Sequence, residues 1–495
     1  MSSGLKGIIA CASALVLIGG AFLALKLTEP KDGKVDDNSS SSAVVKPENE
    51  SLTVYERGKA DVKSIKIKNS NGEYTVTRLH KAVDDDDNTT FQVDEFKEFK
   101  MNDSELNNLA INAQSLYAVR VIDTEAADLS VYGLDKPVTE VTVTFDGDDP
   151  ETYDIIVGDI VPGNENRYMS LKGTNKVYVI ASNFMDNFGY EPEFYISRDV
   201  TEEKNDDIIV KKLTVDRKDL DYDIVLEYDP EAEKRTGGTL ATSVMTSPVK
   251  AYINASEATK YTSDLFGLTA SNLLSIDPVE EELELAGLKN PQCTVTAELS
   301  DGTKTVLKIG NNFSSSNTDA TGYIAMVEGQ RIMWQFAEGS LPWVKMKPED
   351  AMSQMIFGDY IYDVSEISIE ASGKTEKFEC TGDSEETLDV KYNGKAYDAQ
   401  RFKSFYQALI KAPAEEIDVT DDDTALGEKL AVVTVKNEFG EENCIEFFKS
   451  KTEERKAVIK KNGEISFKCR LAFAEKALLP NIENIEGDSS FVENW

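Results

Sequence analysis

The chain has 495 residues, 40% of them hydrophobic, which is enough for two to four domains with filled cores. Asp and Glu number 90 against 53 Lys and Arg, a net charge of −37. That balance excludes duplex nucleic acid as a partner, because such binding runs on neutralised phosphates. A single histidine, His80, excludes multi-histidine metal sites and every Ser-His-Asp or Cys-His arrangement not built on it.

In chain order, residues 1–27 hold an uncharged apolar run from Gly7 to Leu25. As a helix it is about 28 Å long, close to the hydrocarbon thickness of a bilayer. It reads as a signal anchor, with a cleaved signal peptide as the alternative. Ile8-Ile9-Ala10-Cys11 precedes the apolar core instead of following it, so lipidation of Cys11 is rejected. The acidic remainder, with no second span, places the bulk of the chain outside the cytoplasm. Residues 28–50 form a polar, flexible tether that includes Ser39 to Ser42.

Residues 51–203 open with alternating runs, Val62 to Ile67 and Tyr74 to Leu79, around Asn71-Gly72, which predicts a hairpin. Asp84 to Asp87 reads as a solvated loop, since no calcium-loop spacing surrounds it. Asp103 is expected to cap a helix bearing Leu106, Leu109 and Ala110 on one face, and Tyr117 to Ile122 to form a strand. Val138 to Phe145, Thr152 to Val157, Arg167 to Leu171 and Val177 to Ala181 predict an antiparallel meander.

Residues 204–355 replay this order. Ile209 to Val215 and Tyr222 to Tyr228 give the hairpin, an inserted loop follows at Gly237-Gly238, and Glu257 to Leu265 gives the helix. Thr294 to Leu299, Thr305 to Ile309, Tyr323 to Val327 and Ile332 to Phe336 give the meander. Gly158 is paired with Gly310, Tyr168 with Tyr323, and Gly173 with Gly329. Residues 356–485 are a divergent third copy, with hairpin strands on either side of Ser372-Gly373-Lys374-Thr375. Its helix runs from Asp398 to Ile410, with Phe402, Phe405, Tyr406 and Leu409 as its apolar stripe. The glycine that ends the second meander strand is missing from this copy. Residues 486–495 read as a polar tail.

Between helix and meander lies the clearest repeat. Asp123 to Pro137 is echoed by Asp277 to Pro291, and more faintly from Asp418 to Gly427. Each copy follows an isoleucine: Ile122, Ile276 and Ile417. Asp277 reads as a helix N-cap, with Pro278 at the first helical position and Glu280 completing a capping box. Gly287 reads as the left-handed helix stop, Leu288 as its apolar contact, and Pro291 as the first residue of a strand. Asp123, Gly133, Leu134 and Pro137 hold the same offsets, whereas Asp418 and Gly427 keep the pattern without a proline. The spacings from Asp123 to Asp277 and from Asp277 to Asp418 are 154 and 141 residues, the size of small domains. The expected fold is α+β: three tandem repeats, each a helix plus antiparallel strands, behind one transmembrane helix.

Five cysteines show no Cys-x-x-Cys pair, and Cys293, Cys380, Cys444 and Cys469 sit in strand-like runs as small hydrophobes. A disulfide is an open alternative, with Cys444 and Cys469 nearest in sequence. No catalytic motif is found, and no cofactor or metal is implied.

Tyr132-Gly-Leu-Asp-Lys-Pro, followed by Thr-Val-Thr-Phe, Ile-Val-Gly and Lys-Val-Tyr-Val-Ile, resembles the domain-of-unknown-function family DUF4340. The resemblance is clear in the first repeat, fair in the second and weak in the third. It implies a bacterial, single-span accessory protein of the cell envelope, whose partners would be ABC transporter subunits of the gliding type. It brings no catalytic or binding residues. The expectation is therefore a non-enzymatic interaction protein in the cell membrane. One alternative is a surface binder of peptide or glycan, marked by exposed Tyr323, Trp334 and Trp343. The other is a hydrolase using paired carboxylates.

Overall fold

Strict alternation of apolar and polar residues builds most of this molecule. The computed structural model describes residues 52–495, apart from 84–86, 206, 239, 315–320 and 420–422. The apolar run 7–25 and the tether 28–50 lie outside the described residues. Among the described residues no helix is long and apolar enough to cross a membrane.

The described chain is α+β, with three antiparallel sheets of eight, nine and nine strands. From edge to edge the first sheet contains Thr90–Val93, Gly72–His80, Val62–Asn69, Thr139–Phe145, Thr152–Ile160, Arg167–Leu171, Val177–Ile180 and Arg120–Asp123. The first hairpin strand thus lies beside the first meander strand at the centre. The chain works outward to one edge, crosses through the helix Asp103–Ala113 to the opposite edge, then returns to the middle and fills the gap.

The second and third sheets follow the same path with one further edge strand each, Ala251–Tyr252 and Lys395–Tyr397. Their crossing helices are Ala255–Ser263 and Ala399–Ile410. The central ladders are in matching register: Ile65 faces Val143, Leu213 faces Ala297, and Ile367 faces Val435.

Each central strand buries alternate residues. In Thr139–Phe145 the buried Val141, Val143 and Phe145 alternate with half-buried Glu140, Thr142 and Thr144. The apolar face packs on Leu106, Leu109, Ala110 and Ala113 of the crossing helix. In the third sheet Phe378 lies within 5.4 Å of Phe402, Phe405 and Tyr397, so an aromatic cluster fills the same space. The second and third sheets share one continuous core, whereas the first has its own, joined to it through Phe96 and Met101.

Several expectations need correction. Asn102, not Asp103, caps the first helix, accepting from the Glu105 amide at 3.3 Å. The third helix, expected from Asp398, starts at Ala399 with Asp398 as its cap, accepting from the Arg401 amide at 2.7 Å. Tyr117 to Ile122 is two strands: Ser115–Ala118 pairs with Leu52–Glu56 in a separate ribbon, and Arg120–Asp123 edges the sheet. Tyr168 is equivalent to Ile324, not Tyr323, because Met169 and Ala325 hold the same ladder position. Residues 486–495 carry anchors that their polar composition concealed. Phe491 packs at 5.4 Å on Phe405, and Trp495 at 4.9 Å on Phe473.

Candidate functional site

The repeated element Asp123 to Pro137 is a turn of 3-10 helix, Leu129–Tyr132, ended by Gly133 at φ 69°. Its counterpart is the α-helix Glu280–Leu285, followed by Gly287 at φ 73°. The stops are built alike. The Leu134 amide donates to the Leu129 carbonyl at 3.1 Å, and the Leu288 amide to the Leu283 carbonyl at 2.9 Å. Leu134 and Leu288 are buried, each in a small satellite cluster on the outer face of its sheet.

The starts differ from the expected pattern. Asp128, not Asp123, caps the first turn, accepting from the Ser130 amide at 2.9 Å. Asp277 caps nothing: it has φ 52°, and its carboxylate takes the Arg331 guanidinium at 2.5 and 2.6 Å. Arg331 also reaches Glu98 and lies 5.0 Å from the Phe99 ring, so Asp277 helps join the first two sheets. Pro278 and Glu280 are displaced with it; the Glu282 carboxylate accepts from the Val279 amide at 2.9 Å. Pro137 and Pro291 lie two residues ahead of strands that begin at Thr139 and Cys293.

Each stop sits on a bulge in the second meander strand. The register slips between Val157 and Ile160 and between Ile309 and Asn312. Gly158 lies against the Tyr132 carbonyl and Gly310 against that of Ala286, so a methyl group at either glycine would overlap a backbone oxygen. Asn311 fastens the second stop, its backbone amide donating to Ala286 at 2.7 Å and its side chain to Leu285 at 2.8 Å.

Among its described residues the third copy has no such stop. Thr139–Val157, Cys293–Ile309 and Ala431–Phe447 are equivalent pairs, so Phe448 stands where Gly158 and Gly310 stand. Phe448 is buried, and Gly427 is part of the strand Leu426–Asn437, which follows the 3-10 turn Asp423–Ala425. Asp418 is buried beside Lys468 at 3.3 Å, its amide donating to Ser466.

A second group of residues escaped the sequence reading because it comes from distant segments. Between the second and third sheets lies a cavity of about 150 Å³, bordered by Arg235, Lys250, Tyr252, Glu441, Asn443 and Lys461. Burial pushes the Lys461 amine down to about 8, helped by the nearby Lys250 charge and opposed by Asp359. The Asp359 carboxyl is raised by burial, although Asn437 and Asn443 donate to it at 3.0 and 3.4 Å. Burial also raises the Tyr252 hydroxyl. Tyr252 packs flat against Gly358, and the Lys461 amine lies 5.7 Å from its ring centre.

Tyr323, Trp334 and Trp343 are all buried, and the Trp343 indole donates to the Tyr261 carbonyl at 3.0 Å. They form no exposed aromatic surface. His80 meets Asp87 at 2.6 Å on the surface at the end of its strand. Cys293, Cys380, Cys444 and Cys469 are free thiols. Among the described residues no cluster of His, Cys, Asp or Glu is arranged to hold a metal.

The Domain of unknown function (DUF4340) family matches residues 92–291 and again 244–427. The chain belongs to the DUF4340 family. No curated protein and no solved structure matches it. Both DUF4340 segments begin in a hairpin-side strand of one sheet, Thr90–Val93 at the edge of the first or Ser243–Ser247 one strand in from the edge of the second. Both end at the next sheet's first meander strand, Pro291 just ahead of Cys293–Leu299 and Gly427 at the start of Leu426–Asn437. The unit that recurs in DUF4340 sequence is therefore out of phase with the sheets.

Proposed function

We propose that this DUF4340 chain is a non-enzymatic interaction protein, anchored in the cell membrane by residues 7–25, with its body outside the cytoplasm. In this reading it works beside an ABC transporter as an auxiliary component. The observation that carries the reading is a pair of exposed apolar residues at one offset of the repeated element. Val131 is 69% exposed and Leu285 is 74% exposed, each two residues before its helix-stop glycine. Scattered apolar residues on a surface are ordinary. A large aliphatic side chain presented twice by the same rigid bulge-and-stop construction is suited to contact with a partner.

The tether, residues 28–50, supports the same reading. Read from its composition as a random coil, a segment of that length would span about 27 Å root-mean-square. It would hold the body near a membrane partner at millimolar effective concentration, so weak contacts suffice.

The test is crosslinking in intact cells, followed by purification from membranes and quantitative mass spectrometry. Three forms are compared: the full chain, the chain lacking residues 1–50, and Val131→Asp with Leu285→Asp. Transporter subunits are expected to enrich with the full chain and to be lost from both variants. Recovery of the chain from the medium or wall, with no membrane protein attached, would replace this reading with a soluble surface binder.

A further inference from the structure

The cavity between the second and third sheets has an uneven charge economy. Its acidic residues are already engaged. Asp229 pairs with Arg235, and Glu441 takes Arg235 at 3.4 Å and the Asn437 side chain at 3.3 Å. Glu442 pairs with Lys436 at 3.2 Å, and Asp359 accepts from Asn437 and Asn443. The lysines have no comparable partner. Among the described residues neither the Lys250 nor the Lys461 side chain makes an ion pair or hydrogen bond; Lys461 is drawn to the Tyr252 ring, 5.7 Å away, and to the charge of Asp359, and the two ammonium charges lie close enough to repel. Two ammonium groups turned to one partly buried space are costly unless something neutralises them.

We propose that this cavity binds a small oxyanion, a carboxylate or a phosphate, held between the Lys250 and Lys461 ammonium groups. The Tyr252 ring, Val244 and Ala251 supply an apolar wall on which a short carbon chain can lie. The volume, about that of five waters, limits the ligand to a few heavy atoms beyond the anionic group. Lys250, Tyr252 and Arg235 come from the second sheet's segment, and Asn443, Lys461 and Asp359 from the third. An occupant would therefore tie the two segments together and stabilise their joint by mass action.

The test is isothermal titration of the full chain in detergent with acetate, phosphate and sulfate separately, with melting curves on the same samples. At least one probe is expected to bind and to raise the melting temperature, and the probe that binds identifies the ligand class. Lys461→Met and Lys250→Ser are each expected to weaken that binding at least tenfold. Lys250 is exposed, so K250S decides alone should K461M fail to fold. No binding of any probe at 10-fold molar excess up to about 10 mM, a concentration at which a Kd of that order still shows, would overturn the proposal. So would undiminished affinity in K250S.

Discussion

Gly158 and Gly310 show how one absent methyl group sets the path of a chain. The sequence marks both as the ends of strands, whereas the strands run on to Ile160 and Ser314; their pairing does follow from the spacing. Their reason is not visible, because the carbonyl oxygens they accommodate belong to Tyr132 and Ala286, across the bulge. Gly158→Ala and Gly310→Ala are each expected to destabilise the protein by about 1–3 kcal/mol, the usual cost of overpacking. Urea unfolding would measure it, and a change under half a kcal/mol would mean that the stop can shift without penalty. The cavity residues were illegible for a related reason. Lys461 and Tyr252 lie far apart in sequence, and no local pattern marks a lysine whose partner is missing.

At the scale of elements, periodicity was readable and termini were less so. The helix Ala399–Ile410 was legible because Phe402, Phe405, Tyr406 and Leu409 recur at helical spacing behind a lone Asp398. The first helix begins Asn-Asp-Ser, three residues that can all cap, and the backbone turns at Asn102. Asp398→Ala and Asn102→Ala are each expected to cost about 1 kcal/mol in urea unfolding, and Asp103→Ala distinctly less. Equal losses at Asn102 and Asp103 would contradict the observed cap. Asp277 misled because its local sequence is a good cap signal. Arg331, contributed by a distant strand, claims the carboxylate instead, and the helix starts two residues later.

On the scale of the molecule, threefold repetition was legible, while the strand order was not. Which strand lies beside which depends on pairings such as Ile65 with Val143 and Ile367 with Val435, separated by whole elements. Nor did the sequence reveal that the three sheets are unequally joined. The second and third share one core, while the first meets the second through Phe96, Met101, the Lys100–Asp199 pair at 3.2 Å and the Arg331 cluster. Scanning calorimetry of residues 51–495 is expected to show two transitions, one for the first sheet and one for the other two together. A single transition with equal calorimetric and van't Hoff enthalpies would show that the first joint is as cooperative as the second.

The offset between the DUF4340 segments and the sheets has a consequence for how such chains change length. Two recurring segments yield three sheets, as two rails need three posts. The second sheet is closed by halves from both segments, its hairpin from the first and its meander from the second, while the first sheet's hairpin and the third sheet's meander lie outside them. A duplication of one unit would then not append a self-sufficient body at one end. It would cut an existing sheet along its central ladder, as between Val210–Arg217 and Cys293–Leu299, and give each half a new mate. The shared register of those ladders is what would let the exchanged halves fit.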